Sequence, residues 1–84
     1  MASPDENKAR FGALVRELRE DEGLTYQELA RRLEAYGVTI EPRVLNNRLN
    51  RGNFTAGFGL TVLQALGVKE LQLTGTGKRL RVTK

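Results

Sequence analysis

The chain has 84 residues, of which 39% are hydrophobic and 29% are charged, and it contains no cysteine and no histidine. This composition indicates one small globular domain and excludes a disordered chain, a disulfide framework and a thiolate zinc site. The absence of histidine also removes the commonest general base and metal ligand. No apolar run reaches the roughly 18 residues of a membrane span, and no signal-peptide pattern opens the sequence. We therefore expect a cytoplasmic, non-enzymatic binding domain without a cofactor or a metal.

The charge is unevenly distributed along the chain. Residues 1–41 hold six Lys and Arg against nine Asp and Glu, whereas residues 42–84 hold eight against one. The formal net charge is therefore −3 in the first part and +7 in the second. This asymmetry favours a polyanionic partner, such as nucleic acid, for the second part of the chain. A solvated basic surface is the alternative.

The first two helices are predicted over residues 4–22 and 26–36. Each begins at a capping-box pattern, the first from Ser3 and the second from Thr25. Apolar residues then recur at helical spacing in both segments, which predicts one buried stripe on each helix. The apolar positions are Phe11, Leu14, Val15 and Leu18 in the first helix and Leu29, Ala30 and Leu33 in the second, with Val38 and Ile40 filling the core from the connection that follows.

A third helix is predicted over residues 41–51, and its outer face is the most informative feature of the sequence. Leu45 and Leu49 are one turn apart and form its core side, so Asn47 lies opposite them. Arg and Asn are the side chains best suited to hydrogen bonding with base edges in a DNA groove. The outer face comprises Arg43, Val44, Asn47, Asn50 and Arg51, with Asn46 and Arg48 at its borders.

A fourth helix is predicted over residues 56–66, between a Thr55 cap and Gly67. Gly57 and Gly59 each cost roughly 1 kcal/mol relative to alanine inside a helix. We therefore expect an irregular first turn.

Residues 71–84 change to the alternating pattern of half-buried strands and are predicted to form a short β-hairpin or a flexible basic tail. A two-residue loop at Thr76-Gly77 brings the apolar positions onto one face, and a shift of the register by one residue destroys that match. The expected pairs are Leu71 with Val82 and Leu73 with Leu80.

These elements together resemble the Cro/C1 (lambda-repressor-like) helix-turn-helix family. The matching motifs are Thr25, Leu29-Ala30, Gly37-Val38, the helix from Glu41, and Arg51-Gly52. The connection between Ala30 and Gly37 is longer than the family pattern has it. With that connection, the chain is most similar to a small uncharacterised bacterial domain family related to Cro/C1 proteins. The resemblance covers roughly residues 8–73, leaves the basic tail unmatched, and implies a mainly α, compact four-helix fold. We therefore expect residues 1–70 to form the helix-turn-helix domain and residues 71–84, from their alternating pattern, to form a basic hairpin or tail.

The resemblance also implies a function: a transcriptional regulator that binds double-stranded DNA in the cytoplasm, at the nucleoid, and inserts the helix 41–51 into the major groove. A homodimer through helix 56–66 or through strands 71–83 is expected, because one small helix-turn-helix contacts only a few base pairs. The implied base contacts are Arg43 to guanine, Asn46 and Asn47 to adenine, and Asn50. The implied contacts to the DNA backbone are Tyr26, Gln27, Arg48, Arg51, Asn53, Thr55, Lys78, Arg79 and Arg81.

Other interpretations fit parts of the same sequence. The chain can be a protein-interaction adaptor that binds transcription machinery or a toxin through its helical face or its C-terminal strands. The asparagines can be an ordinary polar surface, and Arg48 and Arg51 can be solvated partners of Glu34 or Glu41. Tyr26 is also compatible with a place at the edge of the core. An enzyme is disfavoured, because no nucleophile and base can be nominated.

Overall fold

The computed structural model describes residues 3–73 and 80–84, and within them the chain forms four helices and two short strands. This confirms the predicted class, which is mainly α with a short antiparallel strand pair near the C-terminus. Helix boundaries agree with the prediction to within two residues, the largest difference being the end of the second helix at Glu34. The elements are α1 Pro4–Asp21, α2 Tyr26–Glu34, α3 Pro42–Arg51, α4 Ala56–Ala65, β1 Glu70–Gln72 and β2 Arg81–Thr83.

Side-chain caps set where three of the helices begin. The Ser3 hydroxyl accepts a hydrogen bond from the backbone N–H of Glu6, whose carboxylate in turn accepts one from the N–H of Ser3. Thr25 and Thr55 cap α2 and α4 through the same kind of bond to the third helical residue. These bonds satisfy amide groups that have no partner inside the helix. Helix α3 differs, because its N-cap residue Glu41 makes no side-chain cap bond.

The core is built from aliphatic residues of all four helices. Helix α3 packs against α1 and α2, and α2 also packs against α4. Val38 and Ile40, in the connection between α2 and α3, are half-buried against this core, as predicted. The largest fully buried side chains are Val15, Leu29, Leu33, Leu45, Val62 and Leu66.

Helix α4 is continuous through its glycines, which differs from the expected irregular first turn. Gly59 is buried, and a Cβ atom on it would lie 3.0 Å from Cε1 of Phe54 and 3.3 Å from Cζ of Phe11. The ring of Phe54 in turn packs 5.3 Å from Phe11 and 5.7 Å from Phe58, measured between centroids. A glycine at this position therefore admits the phenylalanine cluster that fixes the loop between α3 and α4.

Strands β1 and β2 pair in the predicted register, with Leu71 opposite Val82. Both side chains pack against the core, and Leu80 is a core residue that is only 9% exposed. Leu73 lies one residue beyond the last paired residue, Gln72, so the expected pair of Leu73 with Leu80 is not among the described strand pairs, and the Leu73 side chain is 69% exposed. The expected loop at Thr76-Gly77 lies outside the described residues. In the described part of the chain, no helix is long and apolar enough to cross a membrane.

Candidate nucleic-acid interface

The outer face of α3 carries the polar side chains that the sequence predicted. Arg43, Asn47, Asn50 and Arg51 are exposed, and Asn46 and Arg48 are half-buried at the two borders of the face. The opposite side of the helix is anchored in the core by two buried leucines. The helix contains no Asp or Glu between its first and last residues. The face therefore presents hydrogen-bonding groups and positive charge together.

Two of the asparagines form a pair one turn apart. The side-chain amide Nδ2 of Asn50 donates a hydrogen bond of 2.6 Å to Oδ1 of Asn46. This bond leaves Asn50 with its own Oδ1 acceptor and one N–H donor, which together match the N6 and N7 edge of adenine. Asn46 keeps its two N–H donors and, as an acceptor, the second lone pair of its Oδ1. The pair therefore fixes the orientation of both amides before any ligand is present.

The N-terminal end of α3 is open. Its first residue, Pro42, has no N–H, and the amides of Arg43 and Val44 point out of the helix end without an intrahelical acceptor. Within the described residues, the Arg43 side chain makes no hydrogen bond and no ion pair. Val44 is 41% exposed on the same turn, an apolar group of the kind that contacts a thymine methyl. Within the described residues, this end therefore combines a guanidinium without a partner, an apolar side chain and two amides without an intrahelical acceptor.

The junction between α3 and α4 holds three of the predicted backbone contacts. Arg51, Asn53 and Thr55 are all exposed. The helix ends because Gly52 adopts a left-handed conformation with φ of 69°. Thr55 then starts α4 by accepting a 3.1 Å hydrogen bond from the N–H of Phe58, which leaves its own hydroxyl hydrogen free to donate. Cationic and hydroxyl donors thus meet at a helix N-terminus, an arrangement suited to phosphate oxygens.

Arg48 lies at the border between α3 and α4. Its guanidinium carbon is 5.1 Å from the centroid of the Phe58 ring, a cation–π contact. Neither Arg48 nor Arg51 is ion-paired with Glu34 or Glu41, four residues that are all described. The alternative that these arginines serve such carboxylates is therefore wrong. The ring contact holds Arg48 beside the junction, where it forms no ion pair with any described residue.

The start of α2 is only partly available. The guanidinium of Arg19 covers the Tyr26 ring at 4.3 Å from its centroid, and its Nη1 donates a 2.7 Å hydrogen bond to the carbonyl oxygen of Leu24. Tyr26 is half-buried and packs against the core, so it lies at the core edge. Gln27 is exposed beside it.

The C-terminal strand lies toward the other end of α1. Glu22, which follows α1, is 3.0 Å from Nη1 of Arg32 and 3.5 Å from Nζ of Lys84. Arg32 also donates to the carbonyl oxygen of Ala65, at the end of α4. Arg81 is exposed on β2, which ends at Thr83 next to Lys84, and no contact among the described residues joins it to the α3 face. The predicted contacts Lys78 and Arg79 lie outside the described residues.

Sequence reasoning missed one basic residue next to the C-terminal end of α3, Lys8. A Cβ atom on Gly52 would lie 3.3 Å from Cγ and Cδ of Lys8, so the aliphatic part of that lysine lies against the end of α3. No sequence pattern links two positions so far apart. As for metals, the described residues contain no group of three or more Asp and Glu arranged to hold an ion.

The comparisons with known proteins concern almost the whole helical part of the chain. A family model described as a domain of unknown function, DUF6471, matches residues 7–71. This range contains α2, α3 and α4 entirely and most of α1, including every residue of the face and junction described above. No curated protein and no solved structure matches the chain. Because the match covers well over half of the 84 residues, the chain belongs to the DUF6471 family.

Proposed function

We propose that this protein binds double-stranded DNA as a transcriptional regulator of the Cro/C1 helix-turn-helix type, with α3 in the major groove and α2 across the phosphate backbone. The observation that carries the proposal is the outer face of α3. It unites Arg43, Asn46, Asn47 and Asn50 on one surface of a helix without carboxylates. Arg and Asn are the side chains that form paired hydrogen bonds with guanine and adenine.

The open end of α3 gives the proposed pose its direction. Arg43 is free of protein partners in the described structure, and it stands on the first turn, which enters the groove foremost in helix-turn-helix proteins. Its two-pronged guanidinium suits O6 and N7 of guanine. Glu41 precedes this turn and repels phosphate, so we assign the first turn to base edges and not to the backbone.

Backbone contacts flank this face on two sides. Arg51, Asn53 and Thr55 at the junction supply donors to phosphate oxygens, and Arg48 adds a charge that the Phe58 ring holds in place. Gln27 and the half-buried Tyr26 contribute from the start of α2. These groups position the protein without selecting sequence. The net charge of +7 over residues 42–84 supports the same partner, since non-specific affinity for DNA is largely electrostatic.

We further propose that the protein acts as a homodimer on a two-fold site. Helix α4 has no charged residue, and its Leu60 is 57% exposed, which favours α4 over the strands as the contact between copies. Half-sites would then lie about 34 Å apart, one helical turn of DNA. Sedimentation measurements on the wild type and on Leu60→Glu distinguish a dimer formed through α4 from one formed through the strands. A dimer that persists in Leu60→Glu assigns the contact to the strands.

The test is duplex binding across a salt series from about 50 to 200 mM, the range over which the affinity supplied by phosphate contacts falls steeply. Fragments selected from random-sequence duplexes serve as ligand. We expect Arg43→Ala to cost about 1–3 kcal/mol on the selected site and to relax preference at one base pair. Arg16→Ala is the matched control, because Arg16 is an exposed arginine of α1 outside this surface.

A lack of DNA binding by the wild type would contradict the proposal. A wild-type protein without duplex affinity at about 50 mM salt, where electrostatic binding is strong, would overturn the proposal. The adaptor function would then be the better one, supported by Leu60 and Leu73, which are both large apolar side chains left exposed.

A further inference from the structure

Lys8 is in the first half of α1, 44 positions before Gly52 in the chain, yet the two are in contact. The Cγ and Cδ atoms of Lys8 lie where they would be 3.3 Å from a Cβ on Gly52, and its Cβ would be 3.4 Å away. The aliphatic part of the lysine therefore covers the glycine that ends α3. A long cationic side chain packed in this way keeps its ammonium group in water at the rim of the contact.

The approach of α1 to α3 fixes this position. One turn after Lys8, Gly12 faces the last turn of α3, since a Cβ on it would be 3.7 Å from the carbonyl oxygen of Leu49. The ridge formed by Lys8 and Gly12 thus runs against the C-terminal end of α3. Arg51 stands on that end, and Asn53 and Thr55 follow it. The packing of the α1 backbone against the end of α3 therefore places Lys8 beside the junction between α3 and α4.

The charge of Lys8 is not used inside the described protein. Lys8 makes no ion pair or hydrogen bond with any described residue. Of the two carboxylates on the preceding turn, Glu6 accepts the 3.2 Å capping bond from the N–H of Ser3, and Asp5 forms no ion pair with the ammonium. A lysine near the end of a helix can also stabilise the helix dipole, so the test must separate that role from binding.

We propose that Lys8 is a DNA-backbone contact, and that Lys8 and Arg51 bind phosphates on the two sides of Gly52. This inference rests on the proposed DNA-binding function and adds α1 to the surface that follows the duplex. A lysine acts here as a point charge that neutralises one phosphate and releases one counterion, so its contribution does not depend on base sequence.

The experiment compares Lys8→Gln, Lys8→Arg and Lys69→Gln with the wild type on the selected duplex and on an unrelated duplex of the same length. Lys69 is the matched control, because it is an exposed lysine that forms no ion pair with the described residues. It lies next to the strands, where its backbone N–H donates to the carbonyl oxygen of Thr83. We expect Lys8→Gln to weaken binding to both duplexes about ten-fold at about 50 mM salt and to reduce the salt slope by about 1. Lys8→Arg should restore both values, and Lys69→Gln should change neither.

Thermal unfolding of each variant supplies the second measurement. Unchanged melting temperatures together with the reduced salt slope support the proposal. Weaker binding that accompanies a lower melting temperature and persists in Lys8→Arg would assign Lys8 a structural role and overturn it. Wild-type affinity in Lys8→Gln, with Arg43→Ala still impaired, would overturn this inference alone and leave the proposed function standing. Absence of any binding by the wild type would overturn both.

Discussion

Asn50 donates a 2.6 Å hydrogen bond from its side-chain amide to Oδ1 of Asn46, one turn earlier on the exposed face of α3. The bond leaves Asn50 an acceptor and a donor side by side, the pattern that adenine recognition requires. Because of this bond, Asn46 orients the amide of Asn50 in addition to its own proposed contact with DNA. The two substitutions should therefore be coupled.

We expect Asn50→Ala to cost about 1–3 kcal/mol at one A·T base pair of the selected site. Asn46→Ala should lose part of the same preference, and the double variant should lose less than the sum of the two, by about 0.5 kcal/mol or more. Competition binding to single-base variants of the duplex measures these losses of binding free energy. Asn53→Ala is the control, because a backbone contact should weaken all duplexes alike. Strict additivity would show that the amides act independently.

Arg51 and Arg81, two exposed arginines of the basic part of the chain, should differ in their effect on the salt dependence of DNA binding. Arg51 stands at the α3–α4 junction, whereas Arg81 stands on the strand whose end is tied to Glu22 through Lys84. We expect Arg51→Gln to reduce the salt slope of DNA binding by about 1. Arg81→Gln removes the same charge and should leave the slope nearly unchanged. An equal reduction by both would extend the DNA surface to the strands.

Glycines 57 and 59 should respond in opposite ways to alanine, although they are neighbours on one helix. A Cβ on Gly59 would be 3.0 Å from the Phe54 ring, so Gly59→Ala should destabilise the fold by about 1–3 kcal/mol through displaced aromatic rings. Gly57 has only the Thr55 hydroxyl oxygen at 3.9 Å, and Gly57→Ala should stabilise by about 0.5–1 kcal/mol. Urea unfolding of the two variants checks the signs. A stabilised Gly59→Ala would mean that the rings move aside without cost.

The C-terminal strand should contribute to stability through Leu80. This side chain is 9% exposed within the core cluster, so Leu80→Ala should destabilise by about 2 kcal/mol or more. Leu73→Ala is the matched control, because the same change is made at a leucine that is 69% exposed, and we expect little effect. Equal effects in thermal unfolding would contradict the packing of β2. A truncation that removes residues 75–84 would delete Leu80 together with the basic residues, and would therefore change stability and charge at the same time. Single substitutions such as Arg81→Gln are the cleaner test of the basic tail.

Much of the fold follows from local patterns. Capping residues and glycines mark the ends of the helices because the amide and carbonyl groups at a helix end must find partners within a few residues. The spacing of Leu45 and Leu49 fixes which side of α3 is buried, and the exposed Arg and Asn face follows from that spacing alone. The pairing of Leu71 with Val82 follows from alternation, since a shift by one residue turns every side chain to the other face.

What the tertiary structure alone decided are contacts between residues far apart in the chain. The Lys8 stem on Gly52, the phenylalanine rings on Gly59 and the Glu22 bridge to Lys84 each depend on how helices and strands cross. Local sequence patterns carry no information on those crossings, because side chains at distant positions meet only through the packing of the whole core. By itself the sequence therefore determined the four helices, the strand register and the polar face of α3, and the packing of the core decided which distant residues contact each other.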